Sequence, residues 1–325
     1  MAQPLLEVFI IYLVLSFLLT CFMITKMYWV DHKANNKKYG LARRTQLIQT
    51  GRWRQLPLYP MDEIAKDKNL GEVRFTIFPN DDGVRRKYAI ILPGGGYAHT
   101  ITVPEGYCIA AKMNELGYTA FVLEYRTGFA CRPYAPMHDL YRLVKYITEH
   151  AEELNVLPED YTLIGFSAGG NLAGIYGTEE YGWKKYGTLR PGALILGYPW
   201  TNINHWFEHP YWNIWEGLLG IWMQERGNLF MFRGHQTREL RDSVCVQYWI
   251  RPGYPPVYMF TGDDDILVKA GAHTDVMAQA LKANGISYMY QKFFGVPHGV
   301  GLAVGTNAEG WLEEAVAFWE KSVER

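Results

Sequence analysis

Cysteine is scarce in this chain of 325 residues: Cys21, Cys108, Cys131 and Cys245 lie far apart, and no Cys-x-x-Cys pair occurs. That spacing suggests neither a zinc site nor a disulfide framework, and it favours free thiols in a reducing compartment. Asn-x-Ser/Thr is absent, so nothing points to a glycosylated, secreted protein. Neither a Gly-Lys-Ser/Thr phosphate loop nor a Gly-x-Gly-x-x-Gly dinucleotide fingerprint is present. An overall excess of one charge is missing too, since the net charge is −1. The balance is uneven, however. Residues 1–54 hold eight Lys/Arg against Glu7 and Asp31, a net +6, which leaves −7 for residues 55–325. A net-negative main part offers no nucleic-acid-binding surface.

With 49% hydrophobic residues the chain can build a substantial core, as one large α/β domain or two small ones. One long apolar run stands at the start: Val8 to Thr25 carries no charge and is closed by Lys26 and the aromatic pair Tyr28-Trp29. It predicts a membrane-anchor segment within residues 1–30, with 8–25 crossing the bilayer as an N-terminal apolar helix. Lys26, Lys33, Lys37, Lys38, Arg43 and Arg44 all follow the run, so the positive-inside rule keeps the main domain cytoplasmic. A cleaved signal peptide ranks lower, because no basic stretch precedes the run and no small-x-small site follows. A helix packed on the domain of a cytoplasmic protein is the other alternative. Residues 31–71, polar and basic, read as a linker.

From residue 72 to 325 strands and helices alternate. Strands are expected at Val73–Phe78, Lys87–Leu92, Thr119–Tyr125, Tyr161–Gly165, Ala193–Tyr198, Pro256–Thr261 and Ser287–Phe294. Helices are expected at Glu105–Leu116, Tyr134–Glu153, after Ser167, at Val268–Ala283 and from Ala308 to Lys321. Such alternation implies a mostly parallel sheet covered on both faces, with functional groups gathered beyond the carboxyl ends of its strands. Residues 199–254 break the alternation and are rich in aromatics, among them Trp200, Trp206, Phe207, Trp212, Trp215, Trp222 and Phe232. They predict a small cap over the site, its aromatics divided between a pocket lining and the cap's own core.

Three strand ends carry chemistry. Gly165-Phe166-Ser167-Ala168-Gly169 places a serine at a strand-to-helix corner that only small neighbours permit, the geometry of a nucleophile. Pro93-Gly94-Gly95-Gly96-Tyr97 leaves backbone N–H groups unshielded, which suits an oxyanion hole formed by Gly95, Gly96 and Ala168. A phosphate cradle is the rival reading, disfavoured by the missing lysine motif. Gly262-Asp263-Asp264-Asp265 supplies the acid, and Asp265, directly before the apolar run, is the choice among the three. His298, in the glycine-rich loop after the last strand, completes the order Ser, Asp, His. His205 and His209 lack a third ligand and read as cap residues, so neither metal nor cofactor is expected. Tyr97 and Trp200 are the expected substrate contacts.

These motifs, together with Pro104-Glu105-Gly106, Tyr125-Arg126 and Tyr198-Pro199, resemble bacterial α/β-hydrolases of the acetyl-esterase and feruloyl-esterase-like group, over about residues 72 to 322. The resemblance implies an α/β-hydrolase fold and a carboxylesterase acting on short acyl esters, often of plant sugars. It also implies Ser167, Asp265 and His298 as nucleophile, acid and base, with Gly95 and Gly96 at the oxyanion. Ile266 stands where the family often has proline. Alternatives with the same residues are an amidase or peptidase and a lipid-directed esterase; an inactive membrane-tethered binding protein is the alternative of a different kind.

Overall fold

The computed structural model describes residues 36–208, 219–221, 223–224 and 227–324, together with Ile11, Val14, Leu15, Leu18, Cys21, Phe22 and Thr25. Eight strands form one sheet: β1 Arg54–Pro57, β2 Arg74–Phe78, β3 Tyr88–Leu92, β4 Thr119–Glu124, β5 Thr162–Phe166, β6 Ala193–Gly197, β7 Val257–Gly262 and β8 Tyr288–Phe293. Their order across the sheet is β1-β2-β4-β3-β5-β6-β7-β8. The first three neighbours pair antiparallel, and every pair from β4–β3 to β7–β8 is parallel. The sequence explains the arrangement. β3, β5, β6 and β7 are apolar except for Thr162 and Thr261, and every residue in them is buried, as a sheet covered on both faces requires.

Among the described residues, helices with complete bounds are α1 Lys37–Gln49, α2 Met61–Lys66, α3 Cys108–Glu115, α4 Ala135–Glu149, α5 Ser167–Tyr176, α6 His205–Glu208, α7 Arg238–Ser243, α8 Thr274–Ala283 and α9 Trp311–Val323. Two cores result, one on each face of the sheet. Tyr88, Ile90 and Leu92 of β3 meet Leu140 and Leu143 of α4, Leu172 of α5 and Met277 of α8. Ala89 and Ile91 point the other way, toward Ile109 and Met113 of α3 and Trp311 and Trp319 of α9. The two-residue period of a strand sorts these side chains between the cores.

Three expectations need correction. Residues 36–71, read as linker, carry α1, β1 and α2, and β1 pairs with β2 from Arg54 against Ile77 to Pro57 against Arg74. Composition concealed this because α1 is held by polar contacts: buried Arg43 donates to Asn114 Oδ1 (2.9 Å), to the Pro79 carbonyl (3.0 Å) and to Asp81 Oδ1 (2.9 Å). The helix expected from Val268 starts later, at Thr274, because the N–H groups of Leu267 and Val268 donate to Asp265 Oδ1 at 2.9 and 2.8 Å.

The membrane anchor is the third. Among the described residues no helix is long and apolar enough to cross a membrane, which overturns the single-pass, membrane-attached placement. As a helix, eighteen residues measure about 27 Å, short of a hydrocarbon core of about 30 Å. Most of residues 8–25 lie outside the described residues.

Candidate active site

β5 runs straight into α5 at Ser167, whose φ of 48° is the left-handed conformation that non-glycine residues avoid. The turn closes only because its neighbours lack side chains. A Cβ on Gly169 would lie 2.0 Å from the Leu92 carbonyl oxygen, and one on Gly165 would lie 2.4 Å from that of Gly169. The strained corner therefore projects Ser167 beyond the carboxyl ends of β3 and β5.

Two other strand ends meet it there. His298, in the loop after β8, places Nε2 3.0 Å from Ser167 Oγ, and its Nδ1 lies 2.7 Å from Asp265 Oδ2. Asp265 is fully buried, its second oxygen occupied by two backbone donors, so the carboxylate cannot swing away from the ring. Burial by itself would depress the imidazole's affinity for a proton. The charge of Asp265 and its hydrogen bond, with a smaller contribution from Glu105, outweigh burial and hold His298 above its ordinary pKa. Asp263 and Asp264 are exposed, and Asp263 accepts from the Gly295 N–H at 2.6 Å. Asp265 alone among the three acids reaches the histidine.

The glycine loop after β3 lies against Ser167. A Cβ on Gly94 would come within 2.9 Å of Ser167 Cβ, and Gly95 and Gly96 take φ values of 125° and 61°. Only glycine adopts the first of these readily. The Gly94 N–H is already bonded, donating to Glu105 Oε2 at 2.7 Å. Ala168 is the second residue of α5, where a backbone N–H has no acceptor within its own helix.

With this geometry in place, a family model described as alpha/beta hydrolase fold matches residues 90–302. The chain belongs to the alpha/beta hydrolase fold family. Among relatives of this hydrolase-fold chain, an acetylxylan esterase of Xylanibacter ruminicola is 24% identical over 262 residues, covering 77% of this chain and 51% of that protein. An endo-1,4-beta-xylanase B of Butyrivibrio fibrisolvens is 25% identical over 246 residues, 73% of this chain and 36% of the other. The chain thus spans about half of one relative's length and about a third of the other's. An acetyl ester-xyloside bifunctional hydrolase from Caldicellulosiruptor lactoaceticus, whose crystal structure is solved, is similar in fold with a TM-score of 0.67. That likeness carries 22% identity and covers 83% of this chain and 96% of that one.

The two expected substrate contacts sit deeper than the hydrolase site itself. Tyr97 is buried and donates its hydroxyl to Asn171 Oδ1 at 2.9 Å, and Asn171 in turn donates to the Val244 carbonyl at 2.8 Å. Trp200 is 2% exposed, and its backbone N–H donates to the Ser167 carbonyl at 3.0 Å. Trp206 and Phe232 from the 199–254 segment are likewise core residues, whereas Trp212, Trp215, Trp222 and His209 lie outside the described residues. His205 packs edge-on against Trp206 and against the buried His273.

Two polar side chains beside the site, Glu105 and Tyr198, stand in the sequence motifs but received no role from them. Glu105 is 1% exposed, and its Oε1 accepts from the Tyr198 hydroxyl at 2.8 Å. The signal was there in one respect only: a carboxylate beside Pro104 and Gly106, directly ahead of an apolar helix, needs a buried partner.

Proposed function

We propose that this chain is a serine carboxylesterase acting on short-chain acyl esters of the acetyl type, carbohydrate esters among them. The observation that carries the reading is the unbroken line from Asp265 through His298 to Ser167, with contacts of 2.7 and 3.0 Å. Ser167 Oγ attacks the acyl carbonyl while His298 Nε2 takes its proton, and Asp265 holds the imidazole in the tautomer that can accept it. Negative charge then grows on the former carbonyl oxygen. The N–H groups of Ala168, Gly95 and Gly96 receive it, each such donor being worth about 10²- to 10³-fold in rate. His298 next returns the proton to the departing alcohol, leaving an acyl-serine that water, deprotonated by the same imidazole, hydrolyses. The acetyl and carbohydrate side of the proposal draws on the relatives named for acetylxylan and acetyl ester-xyloside hydrolysis.

Turnover of p-nitrophenyl acetate, release of acetate from acetylated xylo-oligosaccharides and labelling by a fluorophosphonate test the proposal together. Ser167→Ala is expected to abolish labelling and to lower kcat by about 10⁴- to 10⁶-fold. Labelling that survives the substitution, or a wild-type protein inert toward every acyl ester, overturns it.

A further inference from the structure

One buried carboxylate joins three of the loops that build the site. Glu105 lies in the wide turn Val103–Tyr107 that leads into α3. Its Oε2 accepts the Gly94 N–H at 2.7 Å, at the root of the glycine loop, and its Oε1 accepts the Tyr198 hydroxyl at 2.8 Å, beyond β6. The same Tyr198 oxygen accepts the Gly301 N–H at 3.0 Å, in the loop that carries His298. On its far side Gly301 offers its carbonyl to Trp311 Nε1 at 2.9 Å. The Tyr198 ring also packs edge-on against the His298 imidazole with centroids 4.8 Å apart. Each polar group in the chain from Gly94 to Gly301 is buried and each of its hydrogen bonds has ordinary length. None of these residues takes part in the proton relay.

We infer that Glu105 is a positioning residue for the acyl transfer, one that fixes the oxyanion loop and the base loop relative to each other and places a second negative charge near the His298 imidazolium. The inference rests on the esterase reading for its catalytic consequences, though not for its geometry. Anchoring Gly94 through its N–H orients the peptide that follows, and so the Gly95 and Gly96 N–H groups that face the growing oxyanion. A fixed loop costs nothing to reorganise as the charge develops, which is the source of its catalytic value. The groups facing His298 are Asp265 from the β7 loop, Ser167 from α5, Tyr198 from beyond β6, Glu105 from the turn before α3, and the buried His273 ahead of α8. Burial keeps His273 neutral, so only the two carboxylates bring charge.

Glu105→Gln and Tyr198→Phe separate the two roles. Glutamine keeps an oxygen of similar shape but loses the charge; phenylalanine breaks the link to Gly301 and leaves both carboxylates in place. Both variants are expected to lower kcat on p-nitrophenyl acetate by about 10- to 100-fold with KM little altered, since misplaced donors act on the transition state. Only Glu105→Gln is expected to move the acid limb of kcat/KM to lower pH. An NMR titration of the His298 imidazole reads the same shift without any substrate. Glu105→Gln that folds yet leaves both kcat and the imidazole titration at wild-type values overturns the inference. So does a Tyr198→Phe protein with wild-type kcat, which is decisive even if Glu105→Gln fails to fold. A wild-type protein inert toward esters, whose imidazole still titrates lower in Glu105→Gln, would count against the esterase reading and leave the electrostatic role of Glu105 standing.

Discussion

Ser167, His298 and Asp265 set the pH behaviour of the site. In the proposed mechanism His298 is the general base and must be neutral, and its pKa is held above the ordinary imidazole value, so activity is expected to rise with pH through a midpoint higher than that of a free histidine. Asp265→Asn removes the charge that opposes burial. Its midpoint is expected to fall, and kcat with it by about 10⁴-fold, as the imidazole loses its orienting partner; a pH–rate series on both proteins measures this. The glycines of the loop after β3 separate by what surrounds them. Gly96 has open space where a Cβ would go, so Gly96→Ala faces only the cost of a left-handed backbone, about 1–2 kcal/mol. At Gly95 a Cβ would sit 2.0 Å from the His99 carbonyl oxygen. Gly95→Ala is expected to displace the loop and lose most activity, whereas Gly96→Ala folds with a modest drop in melting temperature, as calorimetry and turnover can show.

α1 is held to the hydrolase fold by a close approach and a charged clamp. A Cβ on its Gly40 would meet the Cys108 backbone nitrogen at 2.7 Å, so the helix lies directly on α3. Its Arg43 shares Asp81 with Arg52, at 2.9 and 2.7 Å. Partial burial pushes the Asp81 carboxyl up, but the two guanidinium groups outweigh it and bring the pKa below the ordinary value. A carboxyl depressed in the folded state stabilises at pH above its unfolded pKa of about 3.9, and that contribution disappears as pH falls through the lower folded value. Arg43→Ala leaves Asn114, Asp81 and the Pro79 carbonyl short of a donor and is expected to cost about 2–3 kcal/mol in urea unfolding at neutral pH. Asp81→Asn is expected to flatten the loss of stability between pH 4 and the acid transition, by about one carboxylate's worth of proton uptake.

Across the whole molecule the cysteines are divided by burial. Cys108, Cys131 and Cys245 are enclosed, while Cys21 is exposed. Burial pushes the thiols of Cys131 and Cys245 up to about 12, so neither forms a thiolate near neutrality. A thiol reagent added to the native protein is expected to modify Cys21 and spare the others. In denaturant all four of the chain's cysteines should react. Rapid native labelling of a second thiol would show that one of the cores opens readily.

The sequence by itself determined the central sheet, because β3, β5, β6 and β7 are apolar apart from Thr162 and Thr261 and need no context to be read as buried strands. It also pointed to Ser167, Asp265 and His298, each in a short motif just past a strand end, and the structure brings Ser167 and Asp265 within hydrogen-bond distance of His298. Composition misled where polar residues do structural work. Residues 36–71 looked like linker because Arg43, Gly40 and β1 stabilise the fold through partners 36 to 71 residues away or through one edge pairing, and neither leaves a local pattern. Tyr97 and Trp200, expected as substrate contacts, are buried in the core, a direction that backbone register does not reveal from sequence. Only the tertiary structure brought Glu105, Tyr198 and Gly301 together, for their bonds span 93 and 103 residues and depend on three loops closing at once. Long-range hydrogen bonding of this kind has no period and no motif, so it becomes visible only when the sheet has placed its strand ends side by side.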